Sequence, residues 1–139
     1  VQHLAWLQAT PETKSGEKPR ARWSILKDRG SDLVELPVIE TDKHILEWLL
    51  ELGVFESSGY GPTPLPYTEI EAWSRLTGTV LTWEESRFLK MLSKEYCAQY
   101  HKSSDRDCPP PYTTEKVNQE TVSERVLQAF RMHSNYKGK

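Results

Sequence analysis

Residues 59–85 read GYGPTPLPYTEIEAWSRLTGTVLTWEE, and the fold expectation follows from this stretch. Pro62, Pro64 and Pro66 alternate with Thr63 and Leu65. Each proline fixes its own φ and pushes the preceding residue toward extended geometry, which predicts a stiff, polyproline-like entry loop. Thr68 and Glu71 then stand at capping-box spacing, and Thr82 and Glu85 repeat it. Gly78 falls just past Leu76, where a left-handed residue commonly closes a helix. These signals predict a helix–turn–helix hairpin. It carries no group suited to catalysis, which points to a module that holds something rather than converts it.

Outward from the hairpin the same signals place further helices. Ile45, Leu46, Trp48, Leu49 and Leu52 form an apolar face closed by Gly53, which predicts a helix over 41–52. Ile70, Trp73 and Leu76 predict a second over 68–77. Phe88, Leu92, Tyr96 and Tyr100, broadened by Leu89 and Met91, predict a long third over 82–101. CPPPY at 108–112 stops it. Val122, Val126, Leu127 and Phe130 predict a fourth helix within 114–133. The expected fold class is therefore all-α: a small bundle of about four helices.

Residues 1–40 have a different texture. Trp6 and Trp23 are isolated among polar residues, and TPETKSGEKPR carries two prolines and a glycine. An extended arm is expected, with a short strand over 32–39 that Pro37 confines to an edge. Such an arm either folds back on its own domain or reaches a neighbouring subunit. The expected organisation is an arm over 1–40, a helical domain over 41–133 and a frayed tail over 134–139.

Composition excludes several classes. The chain has 139 residues, 37 % of them hydrophobic and 27 % charged, with a net charge of −2. One domain fits this length. The near-neutral charge argues against nucleic acid or an anionic membrane as partner. No apolar run approaches the ~20 residues that span a bilayer. The N-terminus lacks the pattern of a secretory signal, and the two cysteines make no disulfide framework, so a cytoplasmic protein is expected. Acidic residues dominate between Thr41 and Gly78 and basic ones after Thr113, a polarity suited to head-to-tail self-association or to nothing beyond a solvated surface.

Candidate chemistry is sparse. No GxSxG elbow, HExxH helix, P-loop or GxGxxG turn occurs. Cys97 and His101 share a helix face, Cys108 follows, and His133 completes a conceivable zinc set. Without a paired knuckle, a core cysteine and a surface histidine are the better account, and no metal or cofactor is expected. A Cys–His nucleophile pair has nothing to orient it. The helix–turn–helix also suggests DNA binding, but its second helix opens on Thr82, Trp83, Glu84 and Glu85, whose carboxylates repel phosphates. Trp48, Trp73 and Trp83 are expected in the core. Trp6 and Trp23 are the candidate interface anchors, and Tyr60, Pro62, Pro64 and Tyr67 a second rigid contact surface.

The pattern G-x-GPxP-x-x-Y-x-EI-x-AW-x-x-LTG-x-x-L-x-WE, carried by Gly59, Gly61, Pro62, Pro64, Tyr67, Glu69, Ile70, Ala72, Trp73, Leu76, Thr77, Gly78, Leu81, Trp83 and Glu84, resembles a short phage-encoded family found among tail genes. Its members are described as tail assembly chaperones or chaperone-like proteins. The resemblance implies a mostly helical protein without catalytic residues, serving tail morphogenesis in the host cytoplasm. It implies the tape-measure protein as partner, with tail-tube subunits as a second. A structural virion subunit, such as a connector or adaptor piece, is the alternative reading, and a helix–turn–helix DNA-binding regulator is the alternative of another class.

Overall fold

The structure is a computed structural model in which residues 1–113 are described. Helices α1 (Gln2–Gln8) and α2 (Arg22–Asp28) lead through a 3-10 turn at Asp32–Val34 to α3 (Lys43–Leu52). A two-stranded antiparallel hairpin, β1 (Phe55–Ser58) and β2 (Gly61–Pro64), precedes α4 (Tyr67–Thr77) and α5 (Trp83–Lys102). The described residues are thus five helices and a β-hairpin, mostly helical but mixed, which corrects the expectation of an all-α four-helix bundle. The helix expected within 114–133 lies outside the described residues.

The stretch expected to be a polyproline-like loop is instead half of a hairpin, formed through its prolines. Phe55 pairs with Pro64, Glu56 with Thr63, Ser57 with Pro62 and Ser58 with Gly61. Backbone N–H directions alternate along a strand, so prolines two apart leave the same edge without donors. The N–H groups that remain, on Gly61 and Thr63, point the other way. Gly59 and Tyr60 make the turn, where the Ser58 hydroxyl donates to the Gly61 carbonyl at 2.8 Å. Gly61 has φ 111° and a Cβ there would meet His101 Cε1 at 3.3 Å, so only glycine suits the position.

Helix α5 organises the core, packing against α1, α3, α4 and both strands. Leu89, Tyr96 and Cys97 on α5 meet Ala5, Ile45, Leu49, Val54, Leu65 and Ile70. Phe55 stacks on Tyr96 with ring centroids 5.5 Å apart. Ser93 is fully buried, and its hydroxyl donates to the Val54 carbonyl at 2.6 Å while accepting from the Leu65 N–H at 2.9 Å. One small polar side chain therefore ties both ends of the hairpin segment to α5. Val54 needs such anchoring: its φ of 52° is strained for a β-branched residue, and it follows Gly53 in turning the chain out of α3.

Helix boundaries separate the two expected capping boxes. Around Thr82 both halves are present, with Glu85 N–H donating to Thr82 Oγ1 at 3.2 Å and Thr82 N–H to Glu85 Oε2 at 2.7 Å. Gly78 closes α4 at φ 70°, as expected. Thr68 is not a cap. α4 begins one residue earlier, at Tyr67, because Pro66 takes the N-cap position and supplies no side-chain bond. α3 starts at Lys43 rather than Thr41, since Asp42 has left-handed φ and ψ.

Residues 1–40 are not an extended arm. α1 lies against α5, and Trp6 is 4 % exposed. The strand expected over 32–39 is instead the 3-10 turn followed by irregular chain. The link that folds this region back is Arg22. It is buried, and its guanidinium donates to the carbonyls of Trp6 at 3.0 Å, Ser103 at 3.0 Å and Asp105 at 2.9 Å. It also sits 4.7 Å from the Trp6 ring centroid. Isolated in sequence, Trp6 and Arg22 complete each other in space.

Candidate functional site

Two apolar surfaces stand out, and both involve α5. The first runs along the face turned away from Leu89 and Tyr96. Trp83, Arg87, Met91 and Lys94 recur at intervals of four, four and three, which places them on one helix face. Trp83 is 64 % exposed and Met91 46 %. Phe88 flanks them, and Tyr67, at the start of α4, completes a shallow concavity with them. The Arg87 guanidinium lies 5.2 Å from the Trp83 ring centroid, and Lys90 Nζ 5.0 Å from that of Tyr67. Lys90 also donates to the Leu65 carbonyl at 2.9 Å, so its ammonium is held in place. The result is an aromatic and thioether surface with Arg87, Lys90 and Lys94 around it, against one carboxylate, Glu84.

The second surface is a groove of about 690 Å³ between α1, α3 and the chain at 36–39. Leu4, Leu36, Ile39, Leu46, Leu50 and Leu92 make its apolar lining, and Lys43, Glu47 and Glu95 give it charge. Pro111 and Tyr112 stand against it as the described chain ends.

The expected site residues are scattered. Trp6 is a core residue: its indole N–H donates to the Cys108 carbonyl at 2.9 Å, and its ring stacks on His3. An interface role for Trp6 would require unfolding α1. Trp23 is exposed at 44 %, with Lys27 Nζ 4.6 Å from its ring centroid. Tyr60 is 99 % exposed at the hairpin turn, whereas Pro62 is buried and its carbonyl accepts from His101 Nε2 at 3.0 Å. Pro64 is half-buried in β2. Of this set Tyr67 alone joins the α5 surface.

Sequence reasoning missed Trp83, Phe88 and Met91 by assigning them to the core. The signal was there: 83, 87, 91 and 94 form one stripe, while 89, 93, 96, 97 and 100 form another. Reading Phe88 and Met91 into the second stripe merged two faces of one helix. Leu76, expected inward on α4, is likewise exposed.

Among the described residues no group of three His, Cys, Asp or Glu side chains converges as metal ligands. Cys97 is buried in the core, where desolvation pushes its thiol up. His101 turns to Pro62, and Cys108 Sγ lies near Ser103 Oγ at 3.9 Å. His133 lies outside the described residues. At the start of α5, Glu85 is held in the capping box and Glu84 stays beside the exposed surface, an acidic turn where a DNA-reading helix needs donors. Among the described residues no helix is long and apolar enough to cross a membrane. Comparison with protein-family models, with curated proteins and with solved structures finds no match for this chain.

Proposed function

We propose that the chain is a non-enzymatic binding protein of tailed-phage tail morphogenesis, acting in the host cytoplasm as a chaperone for the tape-measure protein. The observation that carries a binding role is the exposed surface of Tyr67, Trp83, Phe88 and Met91. Large aromatic and thioether side chains standing together in solvent mark interaction sites, and tryptophan and tyrosine lead the side chains that dominate binding energy. Arg87, Lys90 and Lys94 around it suit a partner face that carries acids beside its apolar residues. The phage assignment is supported by the motif of residues 59–84, two of whose positions, Tyr67 and Trp83, are the aromatics of this surface. A rod-like helical partner awaiting its tube would offer long apolar stripes for such a surface to cover.

The reading of the chain as a connector or adaptor of the virion loses part of its support, because α1, with Trp6, packs against α5 and α2 packs against α1, although Trp23 stays exposed. Affinity purification of the tagged full chain from infected cells, with mass spectrometry of the eluate and of purified virions, tests the proposal. Enrichment of the tape-measure protein with absence of the chain from virions agrees with it. Presence of the chain in virions at subunit stoichiometry favours the structural reading, and an eluate of DNA without tail proteins favours a regulator.

A further inference from the structure

We infer that the cavity between α2, the chain at 11–20 and the turn at 105–108 is a binding site for a nucleoside diphosphate, with the phosphates among Lys18, Arg29 and Arg106 and the base over Ile25, Leu26 and Leu33. The cavity measures about 540 Å³, within the range of small-ligand sites. One face of α2 contributes to it: Arg22, Ile25, Leu26 and Arg29 fall at i, i+3, i+4 and i+7, and Arg29 keeps helical φ and ψ as the C-cap. The wall at 11–13 is held in place, because the Glu12 N–H donates to the Ser104 carbonyl at 3.0 Å.

Charge is the first observation. In a chain of net charge −2, this cavity gathers Lys18, Arg20, Arg22, Arg29 and Arg106 against two carboxylates, Glu12 and Glu17. Arg20 is engaged by Asp28 at 2.6 Å, but Lys18, Arg29 and Arg106 have no ion-pair partner among the described residues. Like charges gathered without partners repel one another, and a bound anion relieves that repulsion.

Arg22 is the second, independent observation. It lines the cavity and is only 6 % exposed. Three of its N–H donors go to the Trp6, Ser103 and Asp105 carbonyls. The others find no partner among the described residues, and no carboxylate there forms an ion pair with it. A buried guanidinium met by carbonyl oxygens keeps its full charge, which attracts an anion more strongly there than it would in water.

The class of ligand follows from charge and surface together. Guanidinium groups hold phosphate oxygens through paired hydrogen bonds, and cations on three separate segments exceed what one carboxylate can engage. Half-buried Ile25, Leu26 and Leu33 offer an apolar surface that only an organic body can use. The inference is of binding alone. The cavity shares no lining residue with the α5 surface, so it stands whichever partner that surface takes.

Titration of the purified chain with ADP, GDP and UDP, followed by calorimetry and by amide chemical shifts, tests it, with pyrophosphate and citrate as controls. At least one nucleotide should bind with a Kd below ~1 mM, and both controls ~10-fold or more weaker. The shifts should centre on 11–29 and 104–108 and leave 83–94 unmoved. Arg29→Gln and Arg106→Gln, at exposed positions, should each weaken the nucleotide ~10-fold with the melting temperature unchanged. Lys27→Gln removes an equal charge from the same helix outside the cavity, and should stay within ~2-fold of the parent. Absence of nucleotide binding up to ~1 mM would overturn the inference. So would pyrophosphate or citrate binding as well as the nucleotides, shifts centred elsewhere, or an equal loss from Lys27→Gln.

Discussion

Replacing Arg22 by methionine should destabilise the fold by about 3 kcal/mol, the loss of two buried carbonyl partners and one aromatic contact less the relief of burying a charge. The substitution keeps an unbranched stem of similar reach and removes all the donors. Three carbonyls lose their partner: those of Trp6, Ser103 and Asp105. The bonds to Trp6 and Ser103 are buried, so water cannot replace them, and each orphaned oxygen costs ~1–3 kcal/mol. The bond to Asp105 is part-buried and can be resolvated at little cost. Losing the cation over the Trp6 ring adds ~1 kcal/mol. Against this, burial already lowers the guanidinium pKa, partly offset by Cys108 and Asp105, and an apolar side chain escapes that desolvation. Arg22→Lys should recover less than half of the loss, because one ammonium cannot span carbonyls on separate segments. Equilibrium urea unfolding of the full chain, with the slope checked for two-state behaviour, measures both variants. A methionine variant within ~0.5 kcal/mol of the parent would refute the view that Arg22 holds residues 1–30 to the end of α5.

Three further outcomes are expected. Trp6→Ala should cost ~3–5 kcal/mol in the same assay and Trp23→Ala less than ~1, since one ring is buried and the other half in water. Thr82→Ala should cost ~0.5–2 kcal/mol by removing a formed cap, while Thr68→Ala, one residue inside α4, should stay within ~0.5. Burial, with lesser contributions from Tyr100 and Cys97, pushes the Tyr96 phenol up to about 12. The unfolded phenol ionises near ~10, so the unfolded state releases its proton first, and this contribution to stability is complete below pH ~10 and lost as pH rises through about 12. Thermal melts from pH 8 to 12 should show a steeper decline for the parent than for Tyr96→Phe, to which the other titrating groups are common.

Helices α3, α4 and α5 were legible because their signals are local, whereas α1 and α2 were not. The Thr82–Glu85 box and the Gly78 closure involve residues within a few positions of each other, and both form. The hairpin was not legible. Pro62 and Pro64 lower strand propensity, and only their spacing of two, which keeps one edge's donors intact, makes pairing with β1 possible. Residues 1–40 failed for the opposite reason. Nothing near Trp6 or Arg22 in sequence reveals that their partners are Cys108, Ser103 and Asp105, some eighty to a hundred positions away. The candidate surface was half legible: Tyr67 was marked, but the exposed side of α5 was assigned to the core because one helix carries two apolar stripes.

The proposal that the exposed face of α5 is the binding surface is tested most directly by the affinity of the purified chain for its proposed partner, the tape-measure protein, measured by titration calorimetry for the parent and for Trp83→Ala. The loss should be ~2 kcal/mol or more, roughly a 30-fold weaker Kd. The melting temperature should stay nearly unchanged, because Trp83 stands at the solvent-exposed start of α5. Equal affinity for the two proteins, or a loss of affinity matched by an equal loss of stability, would contradict the account.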